Sequence, residues 1–174
     1  MPDREQNPGA LVRPPTQRIG TGEIQNAKLR KAFDLWTKLK GTRNFPARSE
    51  ISPRDMTDFL RHIVLVRVLD GGNEFQFRIV GDAIVLAQGQ SFQGLTTAEI
   101  EVRLPGYGVM VKRAYRRVHN ERKPLVLRGW FEHAVTKRAF FHETLGLPLG
   151  PDDETVDHIL VVAVFAFSED GAPA

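Results

Sequence analysis

Cysteine is missing from all 174 residues. That absence removes disulfides, thiolate nucleophiles and cysteine-ligated zinc together. Long apolar runs are missing too. No stretch of 18 or more apolar residues occurs, so no membrane span is expected. The opening residues, MPDREQNPGALVRPP, lack the apolar core of a signal peptide, and a cytoplasmic location is the expectation. Neither sign of charge dominates: 24 Lys and Arg stand against 21 Asp and Glu, a formal +3. A balance so close to neutral gives no argument for nucleic acid, whose footprint is a clustered basic stripe. Catalytic and nucleotide motifs are also lacking. There is no Gly-x-Ser-x-Gly, no Walker loop and no dinucleotide fingerprint. The five histidines, His62, His119, His133, His142 and His158, form no i,i+4 or His-x-His pair. None has a carboxylate at metal-ligand spacing, so no metal site and no catalytic residue is assigned.

What is present suits one domain with a real core, since 41% of the residues are apolar. Residues 1–22 hold four prolines and three glycines but few large apolar side chains, and read as a flexible arm. From residue 23 to residue 40 the pattern is helical. Leu29, Ala32, Phe33, Trp36 and Leu39 recur at spacings of three and four, and Gly41 is a natural stop. Residues 23–48 are taken as an N-terminal helix and connector, 49–170 as the main domain and 171–174 as a tail.

Within the main domain, Ser52-Pro53-Arg54-Asp55 is a helix start: a capping serine, proline at the first position and an acid in the first turn. Residues 62–69 are rich in β-branched side chains and read as a strand. Asp70-Gly71-Gly72-Asn73 is a turn, and residues 75–79 are the returning strand, with Phe75, Phe77 and Ile79 alternating with Gln76 and Arg78. Short helices follow at 82–88, 97–103 and 105–120. Two more strands span 125–135 and 139–147 around a turn at Thr136-Lys137-Arg138. The last, ILVVAVFAF at 159–167, is almost wholly apolar and suits a central strand covered on both faces. Segregated strands and helices of this kind mean α+β with an antiparallel sheet.

Four segments carry a resemblance. They are KAFDLWTKLKGTRNFPARSEISPRDM (31–56), FRIVGDAIV (77–85), FQGLTTAEI (92–100), and Glu143 followed by LGLPLGPDD (145–153). In this order they resemble the PAS domain, and in particular the bacterial single-domain PAS proteins, over about residues 30–167. The resemblance implies a five-stranded sheet in the order 2-1-5-4-3 with short helices over one face. That order places ILVVAVFAF in the centre, where its composition had already put it. Gly81 would then let the chain turn sharply from the aromatic strand into the helical wall.

The resemblance also implies a sensory or regulatory role without catalysis, exercised through a small ligand, a partner protein or a homodimer built on the N-terminal helix. The expected pocket wall is Phe77, Ile79, Ile84, Phe92, Tyr107, Met110 and Val111, with polar contacts from Arg78 or His142. In a regular strand Phe77 and Arg78 cannot both face inward. A cysteinyl-flavin photosensor is excluded by the lack of cysteine. A haem sensor would need an axial histidine, for which His119 is the nearest candidate. The cofactor is therefore unassigned.

Arg78 either bonds carbonyls where its strand breaks or meets an anionic ligand group. Glu143, with Phe141, Leu145 and Leu147 at its parity, must be paired, hydrogen-bonded or protonated. The sheet order sets it roughly 14 Å from Arg78, which argues against a direct pair. Lys112, Arg113, Arg116 and Arg117 form a basic helix side that reads as a solvated face. No helix-turn-helix accompanies it, which argues against DNA reading.

Two other classes compete with the sensor. One is an interaction module with a filled core; the other is a small α+β enzyme using Glu143 or a histidine as general base. An interior cavity of about 300 Å³ or more favours a sensor over a filled module.

Overall fold

A computed structural model describes residues 13–133 and 135–166, and all structural statements below concern those residues. The expectations for 1–12 and for the tail at 171–174 lie outside them. Six strands form one antiparallel sheet: β1 Gln17–Ile19, β2 Ile63–Leu69, β3 Glu74–Val80, β4 Leu125–Glu132, β5 Ala139–Leu149 and β6 His158–Ala166. Their order is β1-β4-β5-β6-β2-β3. Without β1 this is the expected five-strand order. The apolar run forms β6, held between β5 and β2 with Ile159 and Val162 fully buried.

The sixth strand corrects the expectation of a flexible arm up to residue 22. Gln17, Arg18 and Ile19 pair with Arg128, Leu127 and Val126 at the edge of β4. Both guanidinium nitrogens of Arg18 bond Glu121, at 3.1 and 2.8 Å. The chain can approach this edge because Gly129, with φ +147°, presents no side chain. A Cβ there would lie 2.5 Å from the carbonyl oxygen of Pro15.

Helix α1, Ala27–Lys40, starts later than residue 23 because the Asn26 side chain accepts from the amide of Lys28 at 2.9 Å and caps it. Gly41, with φ +57°, ends it. Its buried stripe of Leu29, Ala32 and Trp36 lies on the outer face of the sheet, and the Trp36 indole N–H donates to the carbonyl of Pro148 at 2.9 Å. The expected helix at Ser52-Pro53 is a single 3₁₀ turn, Pro53–Met56, with Ser52 capping Arg54.

Three helices cover the inner face: α2 Asp82–Gln88, α3 Thr97–Arg103 and α4 Tyr107–Glu121. A reciprocal capping box between Thr96 and Glu99 starts α3. Gly108 lets α4 press directly on α3, since a Cβ there would be 2.4 Å from the carbonyl of Thr97. Gly81 serves close approach rather than backbone freedom. Its φ is an ordinary −66°, and a Cβ would fall 2.2 Å from the carbonyl oxygen of Arg61.

The β2–β3 ladder changes register once. Leu65 faces Ile79 and Val66 faces Phe77, which leaves Arg78 as the extra residue of a β-bulge. A single inserted residue exchanges the two faces of the strand beyond it. Phe75 and Phe77 point into the core, and Ile79 does not: it is 40% exposed.

Candidate functional site

The inner face carries an apolar cavity of about 110 Å³ between α4 and the sheet. From α4 it is walled by Tyr107, Met110, Val111, Ala114 and Tyr115. Ile84 of α2 and Phe131, His142, Thr144 and Phe165 of the strands close it, and Thr16, just before β1, reaches its edge. Two wider clefts, of about 480 and 370 Å³, are open depressions elsewhere. The first includes His119, the residue considered for haem, which sits against the Gly72 turn and outside the cavity.

The expected wall residues divide into three groups. Ile84, Tyr107, Met110, Val111 and His142 do line the cavity. Phe77 and Phe92 lie one layer behind it. Phe77 packs on Tyr115 at 5.9 Å between ring centres, and Phe92 stacks on Tyr107 at 5.6 Å. Arg78 and Ile79 are elsewhere. The bulge turns Ile79 out, and Arg78 is exposed, with only a long contact of 3.4 Å to Gln76. Arg78 therefore meets neither of its expected partners, strand-end carbonyls or a group inside the cavity.

His142 is the polar centre of the wall. Its Nε2 lies 2.8 Å from Thr16 Oγ1 and its Nδ1 lies 2.9 Å from Thr144 Oγ1. Thr16 also donates its single hydroxyl proton to the carbonyl of Trp130 at 3.3 Å. Thr16 Oγ1 must then accept from His142 Nε2–H, which leaves Nδ1 to accept from Thr144. Burial pushes the His142 pKa down to about 4, opposed by the neighbouring Glu143 charge, so the ring is neutral near pH 7. Burial likewise raises the Tyr107 and Tyr115 hydroxyls far above their ordinary range. Neither hydroxyl has a hydrogen-bond partner among the described residues.

Glu143, next in the chain, points to the opposite face. One oxygen accepts from the amides of Gln25 and Asn26 at 3.0 and 3.1 Å. The other pairs with Arg128, its cross-strand neighbour, at 2.8 Å. Arg128 also donates to the carbonyl of Glu23. This carboxylate anchors the start of α1 and faces away from the cavity, so Glu143 and His142 do not share a site.

Sequence reasoning missed Thr16, Thr144, Tyr115, Phe131 and Phe165. Strand parity could have found three of them: Thr144 is two residues from His142, and Phe131 and Phe165 both pack on that ring, at 5.3 and 6.3 Å. The helical face of α4 already contained Tyr115. Nothing in the sequence marks Thr16, since its place depends on the unforeseen pairing of β1.

Comparison with known proteins bears on what this geometry is for. A family model described as a PAS domain matches residues 24–163. Among solved structures, the chain is similar to the PAS domain from Bordetella pertussis BvgS, with 14% identity and a TM-score of 0.47 over 81% of this chain and 90% of that one. No curated protein matches the chain by sequence.

Proposed function

This chain belongs to the PAS domain family, whose members generally serve as sensory and regulatory modules, and from that premise we propose that it binds a small, uncharged, largely apolar molecule between α4 and the sheet. The signal leaves through the N-terminal segment. The observation that carries this reading is the bond between His142 and Thr16 at the cavity wall. A ligand that takes the His142 ring as its partner competes with Thr16 and loosens the edge strand it leads into. Beyond β1 the chain continues into α1, whose start is held by Glu143, the residue next to His142. A small shift of β5 therefore acts on both ends of the segment from residue 16 to residue 26. The ligand can bias this docking only by its differential affinity for the docked and loosened states. A second copy of the chain or a partner protein would read the outcome on α1.

The competing reading, a filled interaction module, has one observation in its favour. The cavity is about 110 Å³, below the ~300 Å³ usual for a small-ligand site. Native mass spectrometry of the purified chain separates the two readings and reports the oligomeric state. The sensor reading expects a retained small-molecule mass that disappears when Ala114→Leu fills the cavity. It also expects faster amide exchange over residues 16–26 when ligand is present. A chain that carries no added mass, takes up no small apolar compound and shows unchanged exchange is a filled module.

A further inference from the structure

Beside the cavity lies a second compartment, here called its mouth, whose walls hold polar atoms without partners among the described residues. It measures about 210 Å³ and lies against Tyr107, Met110 and Phe131, the same three side chains that wall the inner cavity. Its other walls are Gln88 at the end of α2, the Leu104-Pro105-Gly106 connection, Glu132 and His133. Together the two compartments reach the ~300 Å³ range of small-ligand clefts. Met110 stands between them. It is 44% exposed and still lines the inner cavity. Its unbranched thioether chain can swing aside at small cost, as a flexible gate would need.

Gln88 is 4% exposed, and its Oε1 is fully buried with no hydrogen-bond partner. Leaving a buried amide unpaired is unfavourable, and a leucine of similar size would not incur that cost. His133, 6% exposed, lines the same compartment. Its Nδ1 accepts from the amides of Val135 and Thr136 at 3.3 and 3.2 Å, so its proton is on Nε2. No described residue accepts from that Nε2. The mouth is thus lined by one unpartnered acceptor, closed off from solvent until the Gln88 side chain shifts, and by one donor with no described partner. Between them and the inner cavity stand the rings of Tyr107 and Phe131. The inner compartment contains no charged side chain, and Glu132 at the rim is exposed and pairs with Lys137.

We propose that the mouth between Gln88 and His133 binds the polar end of an uncharged planar molecule, a carboxamide or a group of like donor–acceptor pattern, whose apolar body passes Met110 into the inner cavity. This inference rests on the reading of that cavity as a ligand site. One ligand N–H donates to Gln88 Oε1, and one ligand carbonyl accepts from His133 Nε2–H. A charged end group would meet no counter-ion inside and is disfavoured by desolvation.

Benzamide and toluene test this as a pair, since they share a ring and differ in the amide. Each is titrated into the full chain, with methyl NMR shifts at Met110, Ala114 and Val161 as the readout. Benzamide is expected to bind about tenfold more tightly, the scale of one or two neutral hydrogen bonds. Gln88→Leu, which leaves the His133 bond in place, is expected to cut that preference severalfold while toluene binding is kept, which also reports that the variant is folded. Gln88→Met, closer in shape, makes the same comparison should the leucine variant not fold. Equal affinities in the wild type, or a preference unchanged by the substitution, overturn the assignment of the mouth and leave the cavity reading intact. No shift at the three methyl groups with either compound removes the cavity reading and this inference with it.

Discussion

The two faces of the central sheet differ in how completely their buried polar groups are paired. On the outer face the Trp36 indole, the Glu143 carboxylate and the Arg128 guanidinium all have partners between 2.8 and 3.1 Å. On the inner face the amide oxygen of Gln88 is fully buried with no partner. The hydroxyls of Tyr107 and Tyr115, which are not fully buried atoms of that kind, find none among the described residues. Both faces bury aromatic and aliphatic side chains to similar depth. The difference lies in whether the polar atoms are used up. A satisfied network fixes one arrangement, and an unsatisfied one keeps its bonding capacity for something that arrives later. His142, with both ring nitrogens bonded, is the satisfied exception on the inner face, and the alternation of a strand turns its neighbour Glu143 to the outer one.

The largest break in this comparison comes from the outer face. Glu143→Leu strands the Arg128 guanidinium, whose side chain is 18% exposed, and removes the acceptor from the amides of Gln25 and Asn26. Removing one member of a buried pair costs about 3–5 kcal/mol. Adding Arg128→Met takes the stranded charge away. The two amides still lack an acceptor, so a deficit of ~1–3 kcal/mol is expected to remain. Urea denaturation of the two variants measures both values. A loss below ~1 kcal/mol for Glu143→Leu alone would mean that the outer face is not the fixed one.

The next effect depends on pH and tests the boundary between the faces. The His142 pKa is depressed to about 4 by burial, against ~6.5 in an unfolded chain. The unfolded state therefore takes up a proton first as the solution is acidified. Stability from the neutral ring is complete above pH ~6.5 and is lost as pH falls toward 4. Between pH 7 and pH 5 the loss is about 2 kcal/mol. His142→Gln is expected to lack that increment while sharing whatever acid sensitivity the rest of the chain has. The comparison uses denaturation midpoints at the two pH values. Parallel curves for wild type and variant would show that the ring is solvated and the cavity wall open.

Much of this architecture was written in local patterns. The apolar run of β6 demanded burial on both faces, and Ser52, expected to cap from its place before Pro53, does accept from the amide of Arg54. Asn26 moved the start of α1 because one side-chain oxygen competes with a purely periodic reading that began at residue 23. The site was less legible, for two physical reasons. Parity arguments hold only along an unbroken ladder, and one extra residue at Arg78 reversed the facing of Ile79. The Thr16 contact spans 126 residues and depends on Gly129 leaving room for the chain at the β4 edge. A single glycine in a strand pattern announces close approach without naming what approaches.

The smallest effect is the most searching, because it concerns an atom that does nothing for the fold. Tyr115 packs by its ring, with Phe75 and Phe77 at 5.7 and 5.9 Å between centres. Its hydroxyl has no partner among the described residues, and burial keeps it neutral. Tyr115→Phe retains the ring contacts and removes only that oxygen. The hydroxyl is not one of the fully buried unpaired oxygens, so little desolvation penalty disappears with it, and the ligand-free variant is expected to match the wild type within ~1 kcal/mol. Thermal denaturation of both proteins after exhaustive dialysis makes the measurement. A variant less stable by more than ~1 kcal/mol would mean that the hydroxyl is already engaged, and the inner face would then be as fully committed as the outer one.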